Sequence, residues 1–325
     1  MNEKINNKYS VTSNIPKLLK HLPKLYSFQK GISKPIMIHL MVTNQCNLNC
    51  ESCCFSSSNN DGKYLSLDRA KDIMRQFSKL GTKAVEITGA GDFTMYKDIN
   101  KLIIYLKKLG YSIGGNTNGV FAKRITEWDK FTWVRLSMNT LDFYSLDKAY
   151  PLDYIRSFKP TPDITGCYVW NSKGNENLEK VVNFANKEKI ITRIVPNCIQ
   201  TKENIDKELK HIIGLVSSFK NNKYVFASDH NVDLDERRNN NCYIHHIKPC
   251  VFTDGWVYSC PSSELSMENG ITLKKEFRIC EGKDVYEYYT NNFEVKKRDC
   301  YFCKYKEQNE FLEDLLMRTK HDEFA

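Results

Sequence analysis

The sequence predicts an α/β fold: a partial (β/α)6 TIM barrel followed by a small cysteine-rich C-terminal domain. Three observations predict it. Short β-rich runs alternate with amphipathic helical segments from Pro35 to about residue 220, the pattern of parallel βα units. Six such units fit, too few for a closed eight-unit barrel. Half of the 12 cysteines (Cys242, Cys250, Cys260, Cys280, Cys300 and Cys303) fall in the last quarter of the chain, a bias that random core positions do not explain.

Residues 1–34 read as a helical extension. Leu18, Leu19, Leu22, Leu25 and Phe28 recur at roughly helical spacing, interrupted by Pro23, and such a stripe is expected to pack on the domain behind it. The barrel, residues 35–220, is expected to carry strands at 36–42, 84–88, 111–116, 133–138, 164–170 and 190–195. Between them, Leu67, Ala70, Ile73, Met74, Phe77 and Leu80 share one helix face, with Ser66 as cap and Gly81 as stop. Ile99, Leu102, Ile103, Leu106 and Leu109 form the next face, ended by Gly110. Leu178, Val181, Val182 and Ala185 give another, and Ile205, Leu209, Ile212, Ile213 and Val216 the last. Periodicity fades over 221–241, which reads as a linker. Residues 242–310 form the C-terminal domain and 311–325 a closing helix.

Lys and Arg exceed Asp and Glu by 9, spread along the chain rather than gathered in a stripe, so the charge permits an anionic substrate without requiring one. The start Met1-Asn2-Glu3-Lys4 lacks an apolar signal core, and no apolar run is long enough to span a bilayer. A cytoplasmic location with no membrane partner is expected, where cysteines ligate metals rather than pair.

Chemistry begins at Cys46-Asn47-Leu48-Asn49-Cys50-Glu51-Ser52-Cys53. Three thiolates on so short a loop can each hold a different iron of one 4Fe-4S cubane, which normally takes four cysteines. The fourth iron then stays open to a small chelating ligand, such as the amino and carboxylate groups of an amino-acid-like cofactor. A structural zinc site would present paired C-x2-C knuckles, and no second knuckle lies nearby. Cys54 reads as a packing thiol. After the second strand, Gly89-Ala90-Gly91-Asp92 lets backbone approach a ligand closely, while the acid adds charge for an ammonium group. Asn116-Thr117-Asn118 ends the third strand and Ser137 the fourth, placing hydroxyls and amides at the same rim. Near the C-terminus, Cys250 and Cys260 flank a turn at Asp254-Gly255, and Cys300-Tyr301-Phe302-Cys303 completes four thiolates that suit zinc or an iron-sulfur cluster equally.

The C-x3-C-x2-C loop resembles the signature of the radical SAM superfamily, and the C-terminal pattern resembles its iron-sulfur twitch domain, the shortened relative of the SPASM domain. Together they cover residues 35–305. The resemblance implies a (β/α)6 core, S-adenosylmethionine on the open iron of a cluster held by Cys46, Cys50 and Cys53, and one auxiliary 4Fe-4S cluster on Cys250, Cys260, Cys300 and Cys303, with Cys280 in reserve. It assigns the Gly89–Asp92 stretch to the amino group of S-adenosylmethionine, Thr117 and Ser137 to the cofactor, and the backbone near Val195 to the adenine. Arg193 is a candidate for the carboxylate. Ser52 stands where the family usually has an adenine-packing aromatic, and Phe55 is the substitute.

The activity so implied is reductive cleavage of S-adenosylmethionine to a 5'-deoxyadenosyl radical, hydrogen abstraction from a substrate C–H bond and an oxidative outcome, with an electron donor such as flavodoxin or ferredoxin. Asp229 and His230 are candidates for a catalytic base, with His245 and His246 nearby. A small-molecule substrate is favoured; a peptide or nucleic acid stays open, as does a non-catalytic metal-binding interaction protein.

Overall fold

The structure, a computed structural model, describes residues 15–55, 60–197, 200, 202–228, 241–261, 275–297, 303 and 305–317. Its strands are β1 (Met37–Met41), β2 (Ala84–Thr88), β3 (Ser112–Thr117), β4 (Phe131–Ser137), β5 (Asp163–Val169), β6 (Ile191–Val195), β7 (Val225–Ala227), β8 (Asn241–Cys242), β9 (Cys250–Val251), β10 (Trp256–Tyr258), β11 (Arg278–Glu281) and β12 (Lys296–Lys297). Among the described residues one open sheet runs in the order β11-β10-β9-β1-β2-β3-β4-β5-β6-β7, and β8 pairs with β12 apart from it. Strands β1 to β7 are parallel throughout. This is the expected partial barrel, with two additions that the periodicity did not reveal.

The first addition is β7. Its three residues lie in the polar stretch expected to be a linker, yet Arg193 pairs with Phe226 and Thr192 with Val225. So short a run leaves no alternation to read. The second is the C-terminal hairpin, whose β9 joins the barrel sheet in parallel beside β1, with His39 opposite Cys250. The turn stands where expected: Gly255 takes φ +77°, its N–H donates to Phe252 O, and Asp254 accepts from Trp256 N.

The helices are built as their faces dictate. The helix Leu67–Lys79 is capped by Ser66, whose hydroxyl accepts from Arg69 N, and Gly81 follows at φ +79°. Ala70, Ile73, Met74 and Phe77 are wholly buried. Complete burial of the three larger side chains contributes roughly 1.5–3 kcal/mol each, far more than the cap. The same face exists on Ile99–Lys108, where Ile99, Leu102, Ile103 and Leu106 are buried, and on Gly174–Glu188, with Leu178, Val181, Val182 and Ala185. On Lys202–Ser218, Ile205, Ile212 and Val216 are buried while Ile213 faces solvent. These faces meet one side of the sheet, through Ile38, Leu40, Val85, Ile87, Ile113, Val134, Leu136 and Ile194.

At the N-terminus, Pro23 starts the helix Leu22–Gln29 rather than breaking one. Leu18, Leu25 and Phe28 pack with Tyr243, Ile244 and Tyr305, whereas Leu19 and Leu22 are exposed. Among the described residues no helix is long and apolar enough to cross a membrane.

Candidate active site

The loop that follows β1 is pinned at both ends. Gly91 N donates to Thr43 O, Asp92 N to Gln45 O, and Cys46 N to the Asn60 side-chain carbonyl. Within it Cys53 N donates back to Cys50 O, folding the chain so that Cys46, Cys50 and Cys53 all line one cavity of about 240 Å³. The cavity opens at the carboxyl ends of the strands, where α/β active sites assemble. Burial, then the neighbouring Cys53 and Cys46 and the Asp142 carboxylate, push the Cys50 thiol up to about 12. Burial also raises Cys46, against an Asn118 amide that donates to its Sγ at 3.7 Å. The Cys46 and Cys50 thiols therefore resist ionising, and a bound cationic cluster reverses that preference. Among the described residues no three His, Cys, Asp or Glu side chains close round a single metal ion. A cubane asks something different, one thiolate for each of three irons. The loop's donor set fits it.

Gly89, Ala90, Gly91 and Asp92 line the same cavity, as do Thr117 and Ser137. Two of these residues serve the scaffold as well. A Cβ on Gly91 would stand 2.2 Å from Gln45 O, so this glycine admits the cysteine loop's own backbone; Gly89, at φ +150°, meets Met41. The Asp92 carboxylate accepts from Thr94 N, Thr94 Oγ1, Thr117 Oγ1 and Asn118 N. It thereby ties the ends of β2 and β3 together, and the Thr117 hydroxyl proton is already committed.

Other residues expected at the site lie elsewhere. Phe55 packs against Met41, Phe252 and Tyr258 and is not a wall of the cavity; Leu48 is the apolar side chain that is. Val195, near which the backbone was expected to serve the adenine, also lies outside the wall, and its carbonyl already accepts from Trp170 N at 2.8 Å. Arg193 shares the concave face with Ser137 and Cys167, opposite which it pairs, but is buried beside the cavity rather than lining it. Asp229, His230 and Cys300 lie outside the described residues.

The amides of Asn116 and Asn118, expected from the sequence at the rim that ends the third strand, line the wall, and sequence reasoning missed Arg135, Cys167 and Val169 beside them. A period-two reading of β4 and β5 carries the signal for these three: Arg135 and Ser137, then Cys167 and Val169, alternate inward. Beneath them Glu86 accepts from Asn116 Nδ2 at 2.7 Å and faces Arg135 Nη2 at 3.6 Å and His39 Nδ1 at 3.7 Å. Burial would raise this carboxyl, but His39, Arg135, Lys248 and Asn116 outweigh it and hold it down to about 2.

On the other side of β1, Cys250 is fully buried, while Cys260 and Cys303 are half-buried and pack near Tyr305. Burial, then Cys260, Glu86, Cys250 and Cys303, hold the Tyr305 hydroxyl far above its usual range. All three thiols therefore act on one hydroxyl. Cys280 belongs instead to the helix-side core. His246 is buried against Phe28 and Phe293, with Nδ1 2.5 Å from Ser33 Oγ, away from the cavity.

A parallel partial barrel thus carries a trio of cysteines at its carboxyl rim. Residues 40–162 match the family model described as the Radical SAM superfamily. Among curated relatives, a probable GTP 3',8-cyclase of Archaeoglobus fulgidus is 27% identical over 187 residues, covering 56% of this chain and 55% of that protein. The mycofactocin maturase MftC of Mycobacterium tuberculosis is 31% identical over 110 residues, covering 34% of this chain and 26% of that one. The chain thus spans about half the length, or a quarter, of these relatives. In fold it is similar to Streptococcus suis SuiB bound to precursor peptide SuiA, with TM-score 0.57 and 16% identity over 86% of this chain and 71% of that one. It is also similar to anSMEcpe with bound AdoMet and Cp18Cys peptide, with TM-score 0.54 and 14% identity over 90% of this chain and 86% of that one.

Proposed function

We propose that the protein binds a 4Fe-4S cluster through Cys46, Cys50 and Cys53, binds S-adenosylmethionine in the adjoining cavity, and uses the pair to take a hydrogen atom from a C–H bond of a small molecule in an oxidative modification. When bound, the cluster supplies one electron and S-adenosylmethionine the 5'-deoxyadenosyl radical that abstracts the hydrogen. The observation that carries this reading is the meeting in one cavity of three thiols, the Gly89–Asp92 stretch, Thr117 and Ser137.

The chain's own residues prepare the site. Asp92 orients Thr117 and the Asn118 backbone. Leu48 and Val169 keep part of the wall apolar, which excludes water and stray hydrogen donors from a radical. Cys250, Cys260 and Cys303, with Cys300, are the proposed ligands of one auxiliary 4Fe-4S cluster, the acceptor for the electron of the substrate radical; the action of three of these thiols on the Tyr305 hydroxyl supports it. A reducing donor of the flavodoxin or ferredoxin type completes the cycle. A small-molecule substrate agrees with the name of the Archaeoglobus fulgidus relative. A catalytic base at Asp229 or His230 stays part of the proposal.

Anaerobically reconstituted protein tests it: about eight irons per chain, from two clusters of four, and 5'-deoxyadenosine release on dithionite reduction. Bound zinc without that release would replace it with a non-catalytic metal-binding module.

A further inference from the structure

Beside the cavity, the inward face of β3 to β6 carries two arginines, Arg135 and Arg193, among the described residues. Asn116, Arg135 and Thr165 stand directly opposite one another on β3, β4 and β5, and Ser137, Cys167 and Arg193 form the next inward row on β4, β5 and β6. Arg135 and Arg193 are therefore separated by two strands, about 10 Å across the sheet, and two residues along it, on the same face. Both side chains are long enough to meet between those positions.

Among the described residues Glu86 is the carboxylate beside Arg135, and it is already engaged by Asn116, His39 and Arg135. Lys248 lies close enough to act on the same carboxylate, and so does Lys17. Arg193 is 7% exposed, and its Nε makes no hydrogen bond among the described residues. Two further buried atoms in these rows are likewise unanswered, Thr165 Oγ1 and Asn116 Oδ1. Burial first, and then Arg193, lower the Arg135 pKa, so the two cations feel each other. A buried guanidinium beside another is costly unless an anion completes it. Arginine's fork suits the planar oxygens of a carboxylate or phosphate.

We infer that this face is an anion-recognition site in which Arg135 and Arg193 take a carboxylate or phosphate group of the substrate, so that the substrate is a small acid held with its C–H bond toward the cysteine-bearing rim. The inference rests on the radical reading above and gives it a substrate class. Asn116 Oδ1 and Thr165 Oγ1 then accept from hydroxyl or amino groups next to the acidic one.

Calorimetry on the reconstituted full-length protein, loaded with S-adenosylmethionine and titrated with pyrophosphate or succinate, tests it without turnover. Saturable binding of at least one probe is expected, and which one binds separates phosphate from carboxylate. Arg193→Gln and Arg135→Gln should each weaken that binding at least tenfold and Arg193→Lys less, while Glu86→Gln, which removes the competing acid, should tighten it several-fold. Binding of neither probe by the wild type, equal binding by all variants, or loss of S-adenosylmethionine affinity in place of anion affinity would each overturn the inference. Should the Gln variants fail to fold, Arg193→Lys and Glu86→Gln still decide it. Deoxyadenosine release by the same wild-type preparation is scored separately. Release without anion binding sinks this inference alone, whereas anion binding without release sinks the radical reading on which the substrate role rests.

Discussion

The Asp92 carboxylate and the His246 imidazole show how far single side chains set the behaviour of the site. Asp92→Ala would strand Thr117 Oγ1, Thr94 Oγ1, Thr94 N and Asn118 N in a buried place. Losing charge-assisted bonds of this kind costs about 1.5–3 kcal/mol each where no water replaces the acceptor, so urea unfolding of the apo protein should show a loss on the order of 3 kcal/mol. A loss below about 1 kcal/mol would mean that the acid is free for a ligand, as the sequence alone suggested. His246 titrates low: burial lowers it from 6.5 to about 4, against the Glu294 backbone and carboxylate. Between those values the unfolded chain binds a proton that the folded chain refuses. Stability should therefore fall as pH drops from about 6.5 to 4 and this contribution should then level off, which His246→Gln should flatten in a series of urea titrations. From the residues alone, the thiol trio and the Gly89–Asp92 stretch were legible because their spacing is local. The engagement of Asp92 by Thr117 was not, since it depends on two strand ends meeting.

At the scale of elements, caps and turns carry testable weight. Ser66→Ala should lower stability by about 1 kcal/mol through loss of the cap on Leu67–Lys79. Lys189 ends the helix Gly174–Glu188 at φ +56°, and Lys189→Gly should stabilise by roughly 1 kcal/mol, read as a rise in melting temperature. Gly91→Ala is a sharper probe, since its Cβ would press on the Gln45 carbonyl and displace the cysteine loop. The variant should fold with its helices intact, by circular dichroism, yet hold markedly less iron after reconstitution; full iron loading would show that the loop tolerates the methyl group. Helix faces were readable to within a residue because each buries a stripe at fixed period. Ile213 was misplaced since periodicity cannot say how wide the stripe is. Strand β7 escaped because three residues carry no period, and the positions of Phe55 and Val195 outside the cavity wall were not legible because a resemblance gives neighbourhood in sequence, not the direction of a side chain or the engagement of a carbonyl.

For the whole molecule, the decisive feature is one sheet reaching from β7 through β1 to β11. It puts the cysteine loop at one rim, a charged interior beneath it, and Cys250 on β9 directly opposite His39 of β1. The proposed auxiliary cluster and the proposed radical site therefore share strand β1 and its neighbours, so an electron passing between them would cross packed protein rather than solvent. The partial barrel was legible in the alternation of strands and helices, and the cysteine-rich end in composition. The joining of the two through β9 was not, because a two-residue strand is specified by its partners. Iron content and deoxyadenosine release, measured together on the wild type and on a variant with Cys46→Ala, Cys50→Ala and Cys53→Ala combined, test the central claim most directly. The account predicts that the variant drops from about eight irons to about four and releases no 5'-deoxyadenosine on reduction; undiminished release would contradict it.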